Sequence, residues 1–351
     1  MEPDEEGHRP VMRNGKRVAF IVILGIFAAF IVLTVQRYIV RAARVEHAVA
    51  PAPYFPPGSI WTKDISHEEV DPQSTEIINW LADAGGWGNH NRMQVDFSLR
   101  IMTANASTPQ VRYRKPPNCC SADQDVVATI PLPPDGGVEG ETNYRCNGGD
   151  CHLLIVDRSE GKLYELYGAD YADNALTSMG LTIWDLNRIY PPSGRGDQCS
   201  SADSAGTPIA PLLFNANEIA AGSINHAMRL ILPNDRIRAH VFVHPATHAG
   251  APQGPDLAPP IGALFRLKAN FDMSKLSPPA RVVARAMQKY GLYLVDGGNI
   301  ALTAESDMDT KIKYADLGFD SHSTWPIEVS NFEIVKMPPP ITLTYECKRN
   351  K

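Results

Sequence analysis

The sequence lacks the short motifs that identify the commonest catalytic classes. It contains no GxSxG nucleophile elbow, no HExxH metal motif, no GxxxxGK[ST] phosphate loop and no dinucleotide-binding glycine pattern. These absences argue against hydride transfer and phosphoryl transfer, and no motif indicates a cofactor or a metal ion. Any chemistry must be inferred from individual side chains.

Charged residues are also few, and the glycines and prolines show no regular spacing. Only 21% of the 351 residues are charged and 44% are hydrophobic, which excludes a disordered chain. The 26 glycines and 29 prolines follow no period, which excludes collagen and disfavours a long helical bundle. From residue 46 onward there are 26 basic and 35 acidic side chains, and this balance argues against nucleic acid as a partner.

One long uncharged run lies near the start of the chain. The 18 residues from Val18 to Val35 carry no charge. As a helix rising about 1.5 Å per residue, the run spans roughly 27 Å, close to the apolar thickness of a bilayer. A cleaved signal peptide is the alternative, but its apolar region is normally only about 7–15 residues long. We therefore expect a single-pass signal anchor that inserts residues 18–36 into the lipid bilayer, after a short cytoplasmic tail at 1–17.

Cysteine usage decides the expected orientation, because the basic residues near the span are almost balanced, four before it and three after it. An even number of six cysteines follows the span, which suits disulfides in an oxidising compartment: Cys119, Cys120, Cys146, Cys151, Cys199 and Cys347. A metal site is the alternative, but no CxxC pair accompanies them. The domain after the span is thus predicted to be periplasmic or extracellular.

The rest of the chain predicts a stalk and one domain. Residues 37–59 are rich in Ala and Pro and favour an extended spacer, and residues 60–351 follow as a β-rich domain. Short runs of β-branched and aromatic residues predict strands at Met93–Met102, His152–Asp157, Leu163–Tyr167, Ala239–Val243 and Leu264–Ala269.

Helices are predicted at only three places. Ser74, Asn215 or Asn217, and Ser277 can cap them, and Gly291 can end the third. The fold class is therefore mainly β, a β-sandwich or jelly roll with a few covering α-helices.

Glu165 is the first of three carboxylates that could supply acid/base chemistry. Strand alternation places it on the same side as Leu163 and Tyr167, and burial among apolar neighbours would raise its pKa, as a general acid requires. The alternative is a solvated Glu165 that pairs with Lys162.

Asp185 and Asp203 are the other two carboxylates that could supply acid/base chemistry. Asp185 follows Trp184, and a sugar can stack on such a ring while the carboxylate binds its hydroxyls. A buried Trp184 beside a turn-capping Asp185 is the alternative. Asp203 lies in a polar loop just after Cys199, where it could be catalytic or could form an Asx turn.

Histidines are densest from 226 to 248. A metal site would need His240, His244 and His248 on one helix, but Pro245 and the β-branched run favour a strand and a turn. His226 and His248 are instead candidates for acid/base assistance, with a structural role as the alternative. Substrate contacts are predicted for four further residues: His152, Tyr167, Trp184 and Asp296.

Several segments resemble a family of secreted, mostly bacterial uncharacterised proteins. The resemblance covers about Ile77 to Val335 and rests on DCHLLIVDR (150–158), KLYELY (162–167), SADSAGTPI (201–209), AGSINHAMR (221–229) and FRLKA (265–269). The chain matches this family at His152, Asp157, Glu165, Asp185, Asp203, His226 and His248. It departs from the family at His244, in place of a Trp, and at Ile300 and Ala301, in place of an aromatic.

The resemblance implies a polysaccharide context, because family members often occur beside carbohydrate-active modules. We therefore expect an anchored extracytoplasmic protein that acts on or binds glycans, either as a glycoside hydrolase-like enzyme using carboxylates or as a non-catalytic glycan-binding or envelope-scaffold protein. A disulfide-stabilised domain that binds a protein partner is a third possibility.

Overall fold

Residues 54–115 and 123–350 are described by a computed structural model of the protein. The predicted membrane span, Cys119 and Cys120 lie outside these residues. Within the described ranges, no helix combines the length and apolar character needed to cross a bilayer.

The described residues form 16 strands and four α-helices. The strands are β1 (Val95–Leu99), β2 (Ile101–Ala104), β3 (Gln110–Arg114), β4 (Thr129–Pro131), β5 (His152–Asp157), β6 (Lys162–Tyr167), β7 (Asp170–Ala172), β8 (Ala175–Thr177), β9 (Gly180–Asp185), β10 (Met228–Leu232), β11 (Val241–Phe242), β12 (Leu264–Leu267), β13 (Leu292–Gly297), β14 (Leu302–Glu305), β15 (Phe332–Ile334) and β16 (Ile341–Thr342). The helices are α1 (Ser74–Asp83), α2 (Ala216–Ala221), α3 (Pro278–Lys289) and α4 (Tyr314–Leu317). The prediction of a mainly β fold with a few helices is confirmed.

The strands form four sheets, in the orders β1-β14-β10-β13-β12-β15, β2-β5-β6-β9, β4-β3-β8-β7 and β11-β16. The first three sheets mix parallel and antiparallel pairs, and β1–β14, β10–β13, β2–β5 and β3–β8 are parallel. Sandwiches and jelly rolls are built from antiparallel sheets, so these parallel pairs differ from that expectation. Parallel neighbours need long connections, and here the chain between β10 and β13 contains α3.

The strand predicted at Met93–Met102 is in fact two strands. β1 belongs to the six-stranded sheet and β2 to a four-stranded sheet, so the chain changes sheets at Arg100. The buried Arg100 guanidinium donates two hydrogen bonds of 2.9 Å to the Asp309 carboxylate and one of 3.2 Å to the Glu141 carbonyl. This cation stabilises the crossing point, and propensity alone does not reveal the break.

β5 lies between two hydrophobic cores. Leu154 and Val156 pack in the larger core, whereas Leu153 and Ile155 pack in the smaller one. A strand that is buried on both faces reads as a continuous apolar run, which explains the sequence HLLIV. β5 and β6 form an antiparallel hairpin, and their pairing sets His152, the first residue of β5, opposite Tyr167.

In two of the three predicted helices, the predicted residue caps the start of the helix. Ser277 accepts a hydrogen bond from the Ala280 amide at the start of α3, and Asn215 caps α2 in a capping box with Glu218. Ser74 does not cap α1. Its hydroxyl accepts the Ile334 amide at 2.8 Å, so it ties the helix to β15 instead.

The packed domain extends into the predicted stalk. Phe55 is buried and forms edge-to-face contacts with Trp184 and Tyr190, at centroid distances of 6.4 and 5.7 Å. The described residues from Tyr54 onward are therefore part of the domain.

Two disulfides are present among the described residues. Cys146 pairs with Cys151, and Cys199 pairs with Cys347 across a sequence separation of 148 residues. Such bonds are typical of proteins in an oxidising environment outside the cytoplasm. The second bond ties the C-terminal segment to the loop that carries Asp203.

Candidate active site

One cleft of about 640 Å³ collects most of the titratable side chains that the sequence analysis singled out. It lies where β1, β14, β10 and β13 meet the start of β5, the end of β6 and the loops around residues 200–204 and 248–251. Its described titratable side chains are Asp96, Glu139, Asp150, Asp203, Asp296, Arg229, His152, His248 and Tyr167. Five carboxylates thus face one arginine and two histidines.

Arg229 joins two of the carboxylates. Its Nη2 donates to Asp203 Oδ1 and to Asp296 Oδ2, each at 2.9 Å, and its Nε donates to Asp203 Oδ2 at 3.2 Å. The two acceptor oxygens share one donor nitrogen, so they lie close together. The Asp203 side chain is 0% exposed and that of Asp296 is 27% exposed, so only Asp296 can touch a ligand readily.

A register shift brings Asp296 to Arg229. β10 and β13 pair Leu230 with Leu294, but the next pair is Ile231 with Asp296, which leaves Val295 as an extra residue. Without this bulge Asp296 would pair with Leu232, on the opposite face of the sheet from Arg229. The bulge therefore builds the Arg229–Asp296 contact.

Asp203 is held by its own loop. The Ser204 amide donates to its Oδ1 at 3.0 Å, and Ser201 Oγ accepts the Asp203 amide at 3.0 Å. Gly206 has a φ of +71°, and a Cβ there would lie 2.2 Å from Thr247 Oγ1, so the turn requires glycine. We conclude that Asp203 positions Arg229, because it is completely buried behind it.

His152 and Glu139 form a charged pair. His152 Nδ1 lies 2.6 Å from Glu139 Oε2, and Nε2 lies 3.1 Å from the Ala202 carbonyl oxygen. The Ala202 carbonyl can only accept, so Nε2 carries a proton, and the Glu139 carboxylate favours a second proton on Nδ1. Burial lowers the pKa of His152, but the hydrogen bond and charge of Glu139 outweigh it, and the net pKa is raised. Desolvation raises the pKa of Glu139, yet His152 outweighs that effect and the net pKa is lowered.

Substituting Glu139→Gln is expected to lower the pKa of His152, because burial then acts without the opposing carboxylate. A raised folded-state pKa contributes stability. This contribution is fully present below the unfolded pKa of about 6.5 and is lost as pH rises through the folded-state pKa. NMR titration of the imidazole signals measures the change, and exposed His322 is the control. An unchanged or higher His152 pKa in the variant would contradict the pairing.

His248 offers the opposite protonation state. Its Nδ1 lies 3.0 Å from the Ser204 carbonyl oxygen, so Nδ1 carries the proton and Nε2 holds the lone pair. Burial lowers the pKa of His248 and so favours the neutral ring. The ring lies 5.5 Å from that of Tyr345, a residue that is 66% exposed and is held near the cleft by the Cys199–Cys347 disulfide.

Glu165 does not line the cleft. It is completely buried, and its carboxylate accepts hydrogen bonds from the Ile209 amide at 2.8 Å, the Ala210 amide at 2.8 Å and Trp184 Nε1 at 2.9 Å. Burial raises its pKa to about 7, although these hydrogen bonds act to lower it. The pKa shift has the direction predicted for a buried carboxyl, but Glu165 holds the 209–210 turn rather than a substrate. Lys162, its suggested partner, contacts Glu160 instead.

Trp184 and Asp185 also lie outside the cleft. Trp184 is buried against Phe55 and Tyr190, so its ring is not available for stacking on a sugar. Asp185 is exposed and its Oδ1 accepts the Asn187 amide at 2.9 Å, which is the turn-capping arrangement considered as the alternative.

His226 is a buried structural residue. Its Nε2 lies 3.1 Å from Glu218 Oε1 and its Nδ1 lies 2.7 Å from the Ala227 carbonyl oxygen, so it joins α2 to the start of β10. The predicted catalytic set therefore does not converge. Asp203 and His248 reach the cleft with His152, Tyr167 and Asp296, whereas Glu165, Asp185, Trp184 and His226 do not.

Two central residues were missed by the sequence analysis. Arg229 interrupts the apolar strand MRLIL, and a charge at such a position indicates a buried ion pair, so a signal was present. Glu139 lies in the loop VEGET, where nothing in the sequence distinguishes it from a solvated carboxylate.

No group of three or more His, Cys, Asp or Glu side chains within residues 54–115 and 123–350 is arranged to hold a metal ion. No family model, curated protein or solved structure matches the chain. The geometry of the cleft is therefore what supports a functional proposal.

Proposed function

We propose that the protein is a membrane-anchored extracytoplasmic enzyme that hydrolyses glycans in this cleft. The observation that carries the proposal is that the cleft contains His152, whose contact with Glu139 favours the protonated imidazole, and a partly exposed carboxylate, Asp296. Glycoside hydrolysis needs a proton donor for the leaving oxygen and a carboxylate near the anomeric carbon.

His152 is the proposed general acid. Its hydrogen bond to Ala202 is longer than its bond to Glu139, at 3.1 against 2.6 Å, so the glycosidic oxygen would replace the Ala202 carbonyl as the partner of Nε2. The proton moves from Nε2 to the leaving oxygen as the glycosidic bond breaks. Glu139 keeps Nδ1 protonated and holds the ring in position.

Asp296 is the proposed carboxylate at the reacting carbon. Its Oδ2 accepts a hydrogen bond from Arg229 and its Oδ1 accepts one from the Gly297 amide, at 2.9 and 2.8 Å. These donors orient the carboxylate toward the positive charge that develops on the sugar, or toward a water that attacks it. Asp203 acts through Arg229 as a positioning residue.

Release of reducing ends from a panel of cell-envelope and plant polysaccharides by the full-length protein tests the proposal. We expect His152→Gln and Asp296→Asn each to lower kcat about a hundredfold, the order of magnitude of one lost acid/base group. Asp256→Asn makes the same chemical change at a side chain that is 97% exposed and lies outside the cleft, and it is expected to leave kcat unchanged. No release by a folded, oxidised protein, or equal release by all variants, would refute the hydrolase.

Non-catalytic glycan binding or envelope scaffolding is the second candidate. The exposed ring of Tyr345 beside His248, and Tyr167 in the cleft wall, favour it because a sugar can stack on an aromatic ring. Binding that survives Asp296→Asn, with no product from any polymer, would identify this function.

The proposal includes a membrane anchor and the resemblance to secreted bacterial proteins. The uncharged run at 18–36 supports insertion into the bilayer, with a tail at 1–17 and the domain outside the cytoplasm, and the two observed disulfides agree with that side. The resemblance to secreted bacterial proteins of polysaccharide context supports a glycan substrate by association alone.

A further inference from the structure

We infer that the cleft selects glycans that carry a free, positively charged amino group, and that Asp96 and Thr303 form the ammonium subsite. This inference rests on the proposed function, since it names the substrate class of the same cleft. It is carried by the negative charge of the cleft, by one hydroxyl that faces two carboxylates, and by one buried hydroxyl that has no partner among the described residues.

The charge balance of the cleft is negative. Glu139 is neutralised by His152, and Arg229 is shared between Asp203 and Asp296. No cation within the described residues pairs with Asp96, which accepts hydrogen bonds only from the Ser98 amide and hydroxyl, at 2.9 and 3.0 Å. Such a cleft repels uronic acid polymers and attracts a cationic sugar.

Ser98 cannot donate a hydrogen bond to both of the carboxylates that its hydroxyl contacts. Its single hydroxyl lies 3.0 Å from Asp96 Oδ2 and 2.9 Å from Glu139 Oε1. A hydroxyl has one proton, so it can donate to only one of these acceptors at a time. A donor with several N–H groups, such as an ammonium, would supply the missing hydrogen bond.

Thr303 supplies an independent sign of a ligand. It is only 2% exposed, and its Oγ1 has no hydrogen-bond partner among the described residues. β1 and β14 pair Asp96 directly with Thr303, so both side chains lie on the same face, and both line the cleft. A buried hydroxyl without a partner is costly, and a bound N–H donor next to Asp96 would satisfy it.

Matched oligosaccharides test the inference with the full-length protein. Calorimetry compares α- and β-linked glucosamine hexamers with their N-acetylated forms and with a galacturonate hexamer, while product release is followed in the same samples. We expect a glucosamine hexamer to bind at least tenfold more tightly than its acetylated form, with added salt weakening it, and we expect the galacturonate hexamer not to bind.

Two variants assign the preference to the subsite. Asp96→Asn removes the charge and Thr303→Val removes the hydroxyl at nearly constant volume, and each is expected to reduce the preference for the free amine severalfold. Asp256→Asn is the matched control and keeps it. A preference that survives both substitutions, equal binding of the acetylated form, or no binding of any amino sugar would overturn the inference.

The outcomes also separate the two proposals. Cleavage of neutral glycans without a preference for amines would leave the hydrolase intact and overturn the subsite. Amine-selective binding that depends on Asp96, without product, would support the subsite and overturn the hydrolase.

Discussion

Replacing Arg229 with methionine is expected to lower the free energy of unfolding by about 3–5 kcal/mol at pH 7. The Arg229 side chain is 5% exposed and that of Asp203 is 0% exposed, so the substitution leaves a buried carboxylate without its cation. Asp296 contributes less to the loss because it is 27% exposed and water can solvate it. Urea unfolding followed by tryptophan fluorescence measures the change.

The loss is expected to shrink at acidic pH. Burial raises the pKa of Asp203 and Arg229 opposes this rise, so without Arg229 the pKa rises further. A folded-state pKa above the unfolded value of about 3.9 means that the penalty appears as pH rises through that value and grows toward neutrality. Below about pH 3 the carboxyl is protonated in both the folded and the unfolded state, and the penalty is small.

Arg100→Met is the matched control. The Arg100 side chain is also buried, at 4% exposure, but its partner Asp309 is 42% exposed and remains hydrated when the guanidinium is removed. We expect a loss of about 1–2 kcal/mol there. Combining Arg229→Met with Asp203→Leu should restore more than half of the lost stability, since no buried charge is left unpaired. Equal losses in Arg229→Met and Arg100→Met would contradict the role of the buried pair.

Removing the Cys199–Cys347 disulfide by substituting both cysteines with serine is expected to cost about 5 kcal/mol of stability. The bond closes a loop with a sequence separation of 148 residues, and the entropy that it removes from the unfolded chain grows with loop length. The released segment carries Tyr345, and the loop after Cys199 carries Asp203, so we also expect faster proteolysis near the cleft. The midpoint of urea unfolding measures the stability.

The other disulfide provides the control. Cys146 and Cys151 are separated by only 5 residues, so the same double substitution is expected to cost about 2 kcal/mol. In each pair one cysteine is buried and the other is half-buried, so the cost of burying a serine is similar. A larger loss at Cys146–Cys151 than at Cys199–Cys347 would show that loop entropy does not dominate.

Local features of the fold could be predicted from the sequence. The run HLLIV predicts a strand, DRSEGK predicts a hairpin, and Ser277 followed by two prolines predicts the start of α3, because each depends on neighbouring residues only. The hydrogen-bond partners of Glu165 could not be predicted. Its pKa rises as expected for a buried carboxyl, but its donors Ile209 and Ala210 lie more than 40 residues away in the chain.

The sequence by itself therefore determined the short strands, the helix starts and the apolar faces, because side-chain periodicity and capping act over a few residues. Tertiary structure decided which charges meet. Asp203 and Asp296 reach Arg229 from 26 and 67 residues away, and Asp296 does so only because the bulge at Val295 turns it to the face of β10 that carries Arg229. Sheet register is set by long-range packing, and a shift of one residue moves a side chain to the opposite face.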